Sequence, residues 1–185
     1  LKKKLIFLIK DEKNLPINEE EFKANLIGKS FPNNFIFEFK EKIYVCLYII
    51  QSSTILEFNH NLIWAGVKLF NFSRNKNYKI INPEVIDRPE NLYLGWCLGD
   101  YDFSSFRSKV KKKKKAKLFN ITDDQVSEAN TISIVRDLIN TPANLLGPSE
   151  IQKEARGLFT KSAKKIIETK GKMLMKKFPL IYNVG

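Results

Sequence analysis

Arg136-Asp137-Leu138-Ile139-Asn140-Thr141-Pro142-Ala143-Asn144-Leu145-Leu146-Gly147-Pro148 reads as a helix that stops in a proline-ordered turn, with a second helix restarting straight after it. Residues ahead of a proline are pushed out of the α region, so Asn140-Thr141-Pro142 must end the first helix. Upstream, Ile132, Val135, Leu138 and Ile139 recur at three and four residues and give that helix an apolar face. Its start is expected at Thr122-Asp123-Asp124-Gln125, which has capping-box spacing. Downstream, Ser149-Glu150-Ile151-Gln152 is expected to cap a helix that buries Ile151, Ala155, Leu158 and Phe159. Lys117–Ile121 and Lys165–Thr169 read as short strands, and Gly171 as a turn toward Phe178-Pro179. Strands alternating with helices predict an α/β architecture.

Further toward the N terminus the same alternation continues. Leu5–Ile9 reads as a strand and Glu19–Leu26 as a short helix ended by Gly28. Phe35–Phe39 and Ile43–Ile50 are expected to pair as a hairpin across Lys40-Glu41-Lys42. Leu62, Ala65, Val67 and Phe70 have helical spacing, Tyr78–Ile81 reads as a strand closed by Asn82-Pro83, and Pro89–Gly99 reads as a helix carrying Leu92, Trp96 and Leu98. No internal repeat is visible.

The composition bounds the rest. With 185 residues and 43% hydrophobic content, the chain suits one full domain, or one plus part of another. Cys46 and Cys97 have no second cysteine near either, which excludes a disulfide framework and a thiolate metal cluster and points to a reducing compartment. Lys2–Lys4 ahead of Leu5–Ile9 imitates a signal peptide, but the apolar run is too short and Lys10-Asp11-Glu12-Lys13 ends it. Ile43–Ile50 is too short to span a bilayer. The expected location is the cytoplasm, with no membrane partner. The chain starts on Leu1 and finishes on Val184-Gly185, and both ends read as cuts through a longer chain.

The net charge of +12 is concentrated in Lys109-Val110-Lys111-Lys112-Lys113-Lys114-Lys115-Ala116-Lys117. Lysines so close repel one another and stay solvated, so 109–117 is expected to be a linker between residues 1–108 and 117–185. A polyanion could bind such a run by counterion release, each phosphate contact adding about 0.9 to the salt slope. The aromatic residues, however, sit in apolar runs rather than between the basic residues, where stacking on bases would need them.

A self-contained active site is not legible. His60 is the only histidine, so neither a histidine-rich metal site nor a paired-histidine motif can be built, and it is expected in a surface turn after Glu57-Phe58-Asn59. Cys46 and Cys97 lie among large apolar residues and are expected in the core. Asp123 and Asp124 diverge on a helix and suit its positive first turn. Asp100 and Asp102 lack the further carboxylates that a divalent ion needs. Gly95 and Gly99 have the wrong spacing for a phosphate loop.

Three blocks, in order, resemble the leucine aminopeptidase (cytosol aminopeptidase) family. Leu94-Gly95-Trp96-Cys97-Leu98-Gly99-Asp100-Tyr101-Asp102-Phe103 is similar to the family's Gly-Trp-x-x-Gly-x-Tyr-x-Phe segment at the end of its N-terminal domain. Arg136–Pro148 resembles the segment opening its catalytic domain, through Arg136, Asp137, Asn140, Thr141, Pro142, Asn144, Gly147 and Pro148. Phe178–Gly185 is similar to a Phe-Pro…Val-Gly segment of the family. Departures are Asp100 and Asp102, where small or basic residues are expected, Leu145 in place of an acidic residue, and Tyr182 where histidine is frequent.

The resemblance implies a mixed-sheet N-terminal α/β domain followed by the truncated beginning of an aminopeptidase catalytic domain. It implies a parent enzyme that removes N-terminal residues, often leucine, from peptides, using two divalent ions, zinc or manganese. Such a pair activates a bridging water and polarises the scissile carbonyl. The family holds those ions on later segments, a lysine with Asp-Thr-Gly-Gly and an Asn-Thr-Asp-Ala-Glu-Gly-Arg, and neither string occurs here. No catalytic or metal-binding residue is therefore carried over, and the chain alone is expected to bind no metal and to be inactive. Family members are typically hexamers. The alternative is a non-catalytic nucleic-acid-binding or scaffold module that uses the lysine run.

Overall fold

The computed structural model describes residues 3–10, 36–47, 53–108, 116–160 and 163–184. The helix expected at Glu19–Leu26, the end of the strand expected at Ile43–Ile50 and most of the lysine run lie outside the described residues. Contacts divide the chain into two compact units, Leu1–Ser133 and Ile134–Gly185. The division falls later than the lysine run because the residues just after that run join the first unit's sheet.

In the first unit, the apolar run that imitates a leader is β1, Lys3–Ile9, and it occupies the middle of a five-stranded sheet. β2 (Ile36–Phe39) and β3 (Lys42–Cys46) form the expected antiparallel hairpin, with Phe37 opposite Tyr44. The turn is tighter than expected, Lys42 already being in β3. Lys40 and Glu41 take φ of 46° and 62°, the left-handed pair that a two-residue hairpin turn requires. The helix α1 (Ile55–Phe72) is capped by Thr54, whose side chain accepts from the Glu57 N–H. β4 (Asn77–Ile80), α2 (Pro89–Gly99) and β5 (Lys117–Leu118) complete the unit, together with the first part of α3 (Asp123–Asn140). The strand order is β2-β3-β1-β4-β5, and β1 runs parallel to both β3 and β4, as β4 does to β5.

The register puts Ile6, Ile43 and Ile80 side by side, and these join Leu62, Ala65, Leu69 and Phe70 of α1 and Leu92 and Trp96 of α2 in one core. On the opposite sheet face Phe7, Tyr44 and Phe37 stack across three strands, with centroids 5.5 and 5.2 Å apart. Alternation of side chains along each strand makes both layers possible from one set of residues.

β5 is only two residues long, against an expectation of five, and the reason is a device used twice. Two residues past the end of β4, the Asn82 amide accepts from the Leu8 N–H at 2.9 Å and donates to the Leu8 carbonyl at 2.8 Å. Two residues past the end of β5, Asn120 does the same to Ile80, at 2.7 and 3.1 Å. Each side-chain amide thus extends the ladder where the neighbouring backbone turns away. Replacing Asn82 or Asn120 by leucine leaves a strand N–H and C=O without partners, which costs about 1–3 kcal/mol at each site. Urea unfolding followed by circular dichroism should show both losses, and the double variant should approach their sum.

The second unit is described by itself. It holds the end of α3, then α4 (Pro148–Phe159), α5 (Lys172–Lys177) and α6 (Pro179–Val184). Three expectations are corrected there. α4 is capped at Gly147 rather than Ser149: Pro148, with its fixed φ, suits the first helical position, and the Glu150 carboxylate accepts the Gly147 N–H at 3.0 Å. Lys165–Thr169 forms no strand; among the described residues this unit offers no other strand to pair with its backbone. The apolar face of α4 is not buried, Ile151 being 49% and Phe159 56% exposed. Gly171 does turn the chain, at φ 57°.

Candidate functional site

The first family-like block is a packing device. Gly95 sits where α2 crosses α1, and a Cβ placed on it would lie 2.0 Å from the Ile63 carbonyl oxygen. Its counterpart on α1 is Gly66, whose Cβ would lie 2.2 Å from the Leu92 carbonyl oxygen. The helices therefore touch backbone to backbone, which only paired glycines allow. Gly99 leaves room for the Phe70 ring, and Trp96 is buried edge-on to Phe70 and tilted against Tyr78. Gly66 was missed in the sequence because its partner lies 29 positions away, with no local pattern to mark it.

Tyr101 follows the end of α2 and lines a groove of about 490 Å³ with Cys97, Asp100, Asn130 and Ser133. Here motif residues and polar side chains converge within the first unit. Cys97 is the thiol of this groove, and burial, aided by the Asp100 carboxylate, raises it from an ordinary 9.0 to about 11. A thiol held that high is protonated at neutral pH and a poor nucleophile. Because the folded value is raised, the stability it contributes is complete below 9.0 and is lost as pH rises through 11. Cys97→Val should flatten the fall in urea stability across that window. Native Cys97 should also resist iodoacetamide near neutral pH while the urea-unfolded chain reacts.

The second block lies in the second unit. Thr141 donates its hydroxyl to the Asp137 carbonyl at 2.7 Å, ending α3 at Asn140 as expected. The Pro142 carbonyl then accepts from the N–H groups of Leu145 and Leu146 at 2.9 and 3.1 Å. Arg136, Asp137, Pro142, Asn144 and Pro148 are exposed in this chain, and Gly147 is the cap of α4. Beyond it, Arg156 pairs with Glu168, whose carboxyl is held below its usual range by Gln152 first and Arg156 second. The third block forms α6, entered through Phe178 and Pro179.

The remaining candidates resolve as follows. His60 is on the surface but within α1 rather than in a turn, where its Nε2 accepts from the Trp64 indole at 3.1 Å. Cys46 is fully buried in the core. Asp123 and Asp124 occupy the first turn of α3, and Thr122 donates both its N–H and its hydroxyl to Gln125. Asp102 pairs with Arg107 at 2.8 Å. Among the described residues no three His, Cys, Asp or Glu side chains come together where they could hold a metal ion. No helix among them is long and apolar enough to cross a membrane.

No protein-family profile and no curated protein sequence matches the chain. Solved structures do. The architecture is that of part of the cytosol, or leucine, aminopeptidase fold. The cytosol aminopeptidase of Coxiella burnetii superposes with a TM-score of 0.68 at 22% identity, over 100% of this chain and 41% of that one. The bottromycin maturation enzyme BotP, solved in complex with Mn, gives 0.63 at 14% identity, over 95% of this chain and 40% of that one. A tomato leucine aminopeptidase variant gives 0.52 at 18%, over 87% and 40%. The chain thus spans about two-fifths of the length of the structures it matches.

Proposed function

We propose that the chain is the N-terminal portion of a metal-dependent, leucyl-type aminopeptidase that hydrolyses N-terminal residues from peptides. One observation carries the reading: three ordered sequence blocks resemble that family, and the fold holding them is matched over its whole length by a cytosol aminopeptidase. In this reading the first unit is the N-terminal domain and the helix-stop segment Arg136–Pro148 opens the catalytic domain. Gly95, Trp96, Gly99 and the Asn140–Pro148 turn are architectural residues, not catalytic ones.

Two divalent ions, zinc or manganese, belong to the parent enzyme in this reading, and the Mn complex of BotP supports a metal-dependent relative. In this reading the ions are held by segments that the family resemblance places after the helix-stop segment. A homohexamer in the cytoplasm belongs to the same proposal and rests on the resemblance alone. The test is to extend the reading frame beyond Gly185 and assay the longer product on a leucine anilide. Lysine and aspartate metal motifs with chelator-sensitive hydrolysis are expected. An extended frame without those motifs, or hydrolysis indifferent to chelator, would overturn the proposal.

A further inference from the structure

The groove of about 490 Å³ beside the end of α2 has the size of a small-molecule site. Its floor is apolar, built by the buried side chains of Phe70, Trp96 and Leu118. From α3, Val126, Asn130 and Ser133 stand at i, i+4 and i+7 and line it as one stripe.

Oxygens that accept hydrogen bonds border this floor. They are the Asp100 carboxylate, the Asn130 amide oxygen and the Ser133 hydroxyl. Ser133 gives its own proton to the Ala129 carbonyl at 2.8 Å, so its oxygen has only acceptor capacity left to offer. Lys117 borders the groove from β5, but side chains alternate along a strand and Leu118 is the one turned to the core. The Lys117 ammonium therefore leaves on the other face of the sheet. Asp100 sets the charge of the groove, and the Cys97 thiol, raised first by burial, is raised further by that carboxylate. Asp100 is also one of the departures from the family pattern, which has a small or basic residue there, so this charge is a property of the present chain.

An ammonium group carries three donors and no acceptor, the complement of such a rim. An aliphatic body attached to it would lie on Trp96 and Leu118. We propose that this groove binds an apolar primary amine, presented by the free amino end of a peptide whose first residue is aliphatic. Binding of this kind needs no hydrolysis, so its absence would leave the peptidase reading untouched.

The test is titration of the 185-residue chain carrying Trp64→Phe with leucinamide, Trp96 then being the only indole to report occupancy. A saturable change in its fluorescence is expected. Isocaproate, which keeps the aliphatic body without the amine, should give no such change. Leucine should bind more weakly than leucinamide, because its carboxylate meets that of Asp100. Asp100→Asn should weaken leucinamide roughly tenfold or more, as loss of a charged hydrogen-bond partner does. Val126→Phe, at a position 43% exposed, should obstruct the groove without disturbing the core. Circular dichroism checks that both variants fold. Three results would overturn the proposal: no saturable response to leucinamide, leucine or isocaproate binding as tightly as leucinamide, or unchanged affinity in folded Asp100→Asn.

Discussion

Gly95→Ala is expected to lower the stability of the first unit by about 3 kcal/mol, the upper part of the range for overpacked cores. A single methyl group at this position meets the Ile63 carbonyl oxygen at 2.0 Å and comes within 3.0 Å of the Gly66 Cα, so both obstacles are backbone. Flexible side chains could rotate away; two helix backbones can only separate. Separation would loosen Leu62, Ala65 and Leu69 on α1 from Leu92 and Trp96 on α2, which share one core. Equilibrium urea unfolding reports the loss directly. Gly157→Ala is the control, since a Cβ there meets nothing within 4 Å. It should be neutral or slightly stabilising, because alanine favours helix.

Trp96→Ala is expected to cost about 3–5 kcal/mol, as large-to-small changes at buried aromatics do. The indole is 3% exposed, lies edge-on to Phe70 at 5.5 Å and also contacts Tyr78. Tyr78 in turn accepts from the Arg74 N–H at 2.7 Å, so the cavity would open beside a buried hydroxyl already committed to the loop before β4. Trp96→Phe should recover more than half of the loss. The other tryptophan provides the contrast: Trp64 is 56% exposed, and Trp64→Ala should change stability by no more than about 0.5 kcal/mol. Equal effects at the two positions would contradict the packing described here.

Local patterns were legible in the sequence where the structure is local. Pro89–Gly99, the β2–β3 hairpin and the halt of α3 before Pro142 are each set by residues within a few positions of one another. What depends on a distant partner was not. No pattern in Leu5–Ile9 says that its neighbours are β3 and β4, nor does Asn82-Pro83, read as a turn, reveal that the amide of Asn82 closes on Leu8, 74 positions away. Gly66 stayed unread for the same reason. The cap of α4 was misplaced because Ser149-Glu150 imitates a capping pair, whereas Glu150 reaches the Gly147 N–H.

The apolar face of α4 shows a different limit. Ile151, Leu158 and Phe159 have the spacing of a buried stripe, and periodicity reports that a face is apolar, not that it is covered within the chain. At the candidate site, the sequence marked Gly95, Trp96 and Gly99 through a family likeness without saying why they recur together. The structure supplies the reason, a backbone-to-backbone helix crossing with an indole wedged beside it.

On the proposed reading, these 185 residues carry part of an aminopeptidase fold, and the groups that hold its metal ions belong to other segments. The most direct test of that reading is hydrolysis of a leucine anilide by the purified, folded chain with zinc or manganese supplied. No turnover above the buffer control is expected with either ion. Turnover that requires the ion and is lost with a chelator would contradict it, since the chain would then contain a metal centre of its own.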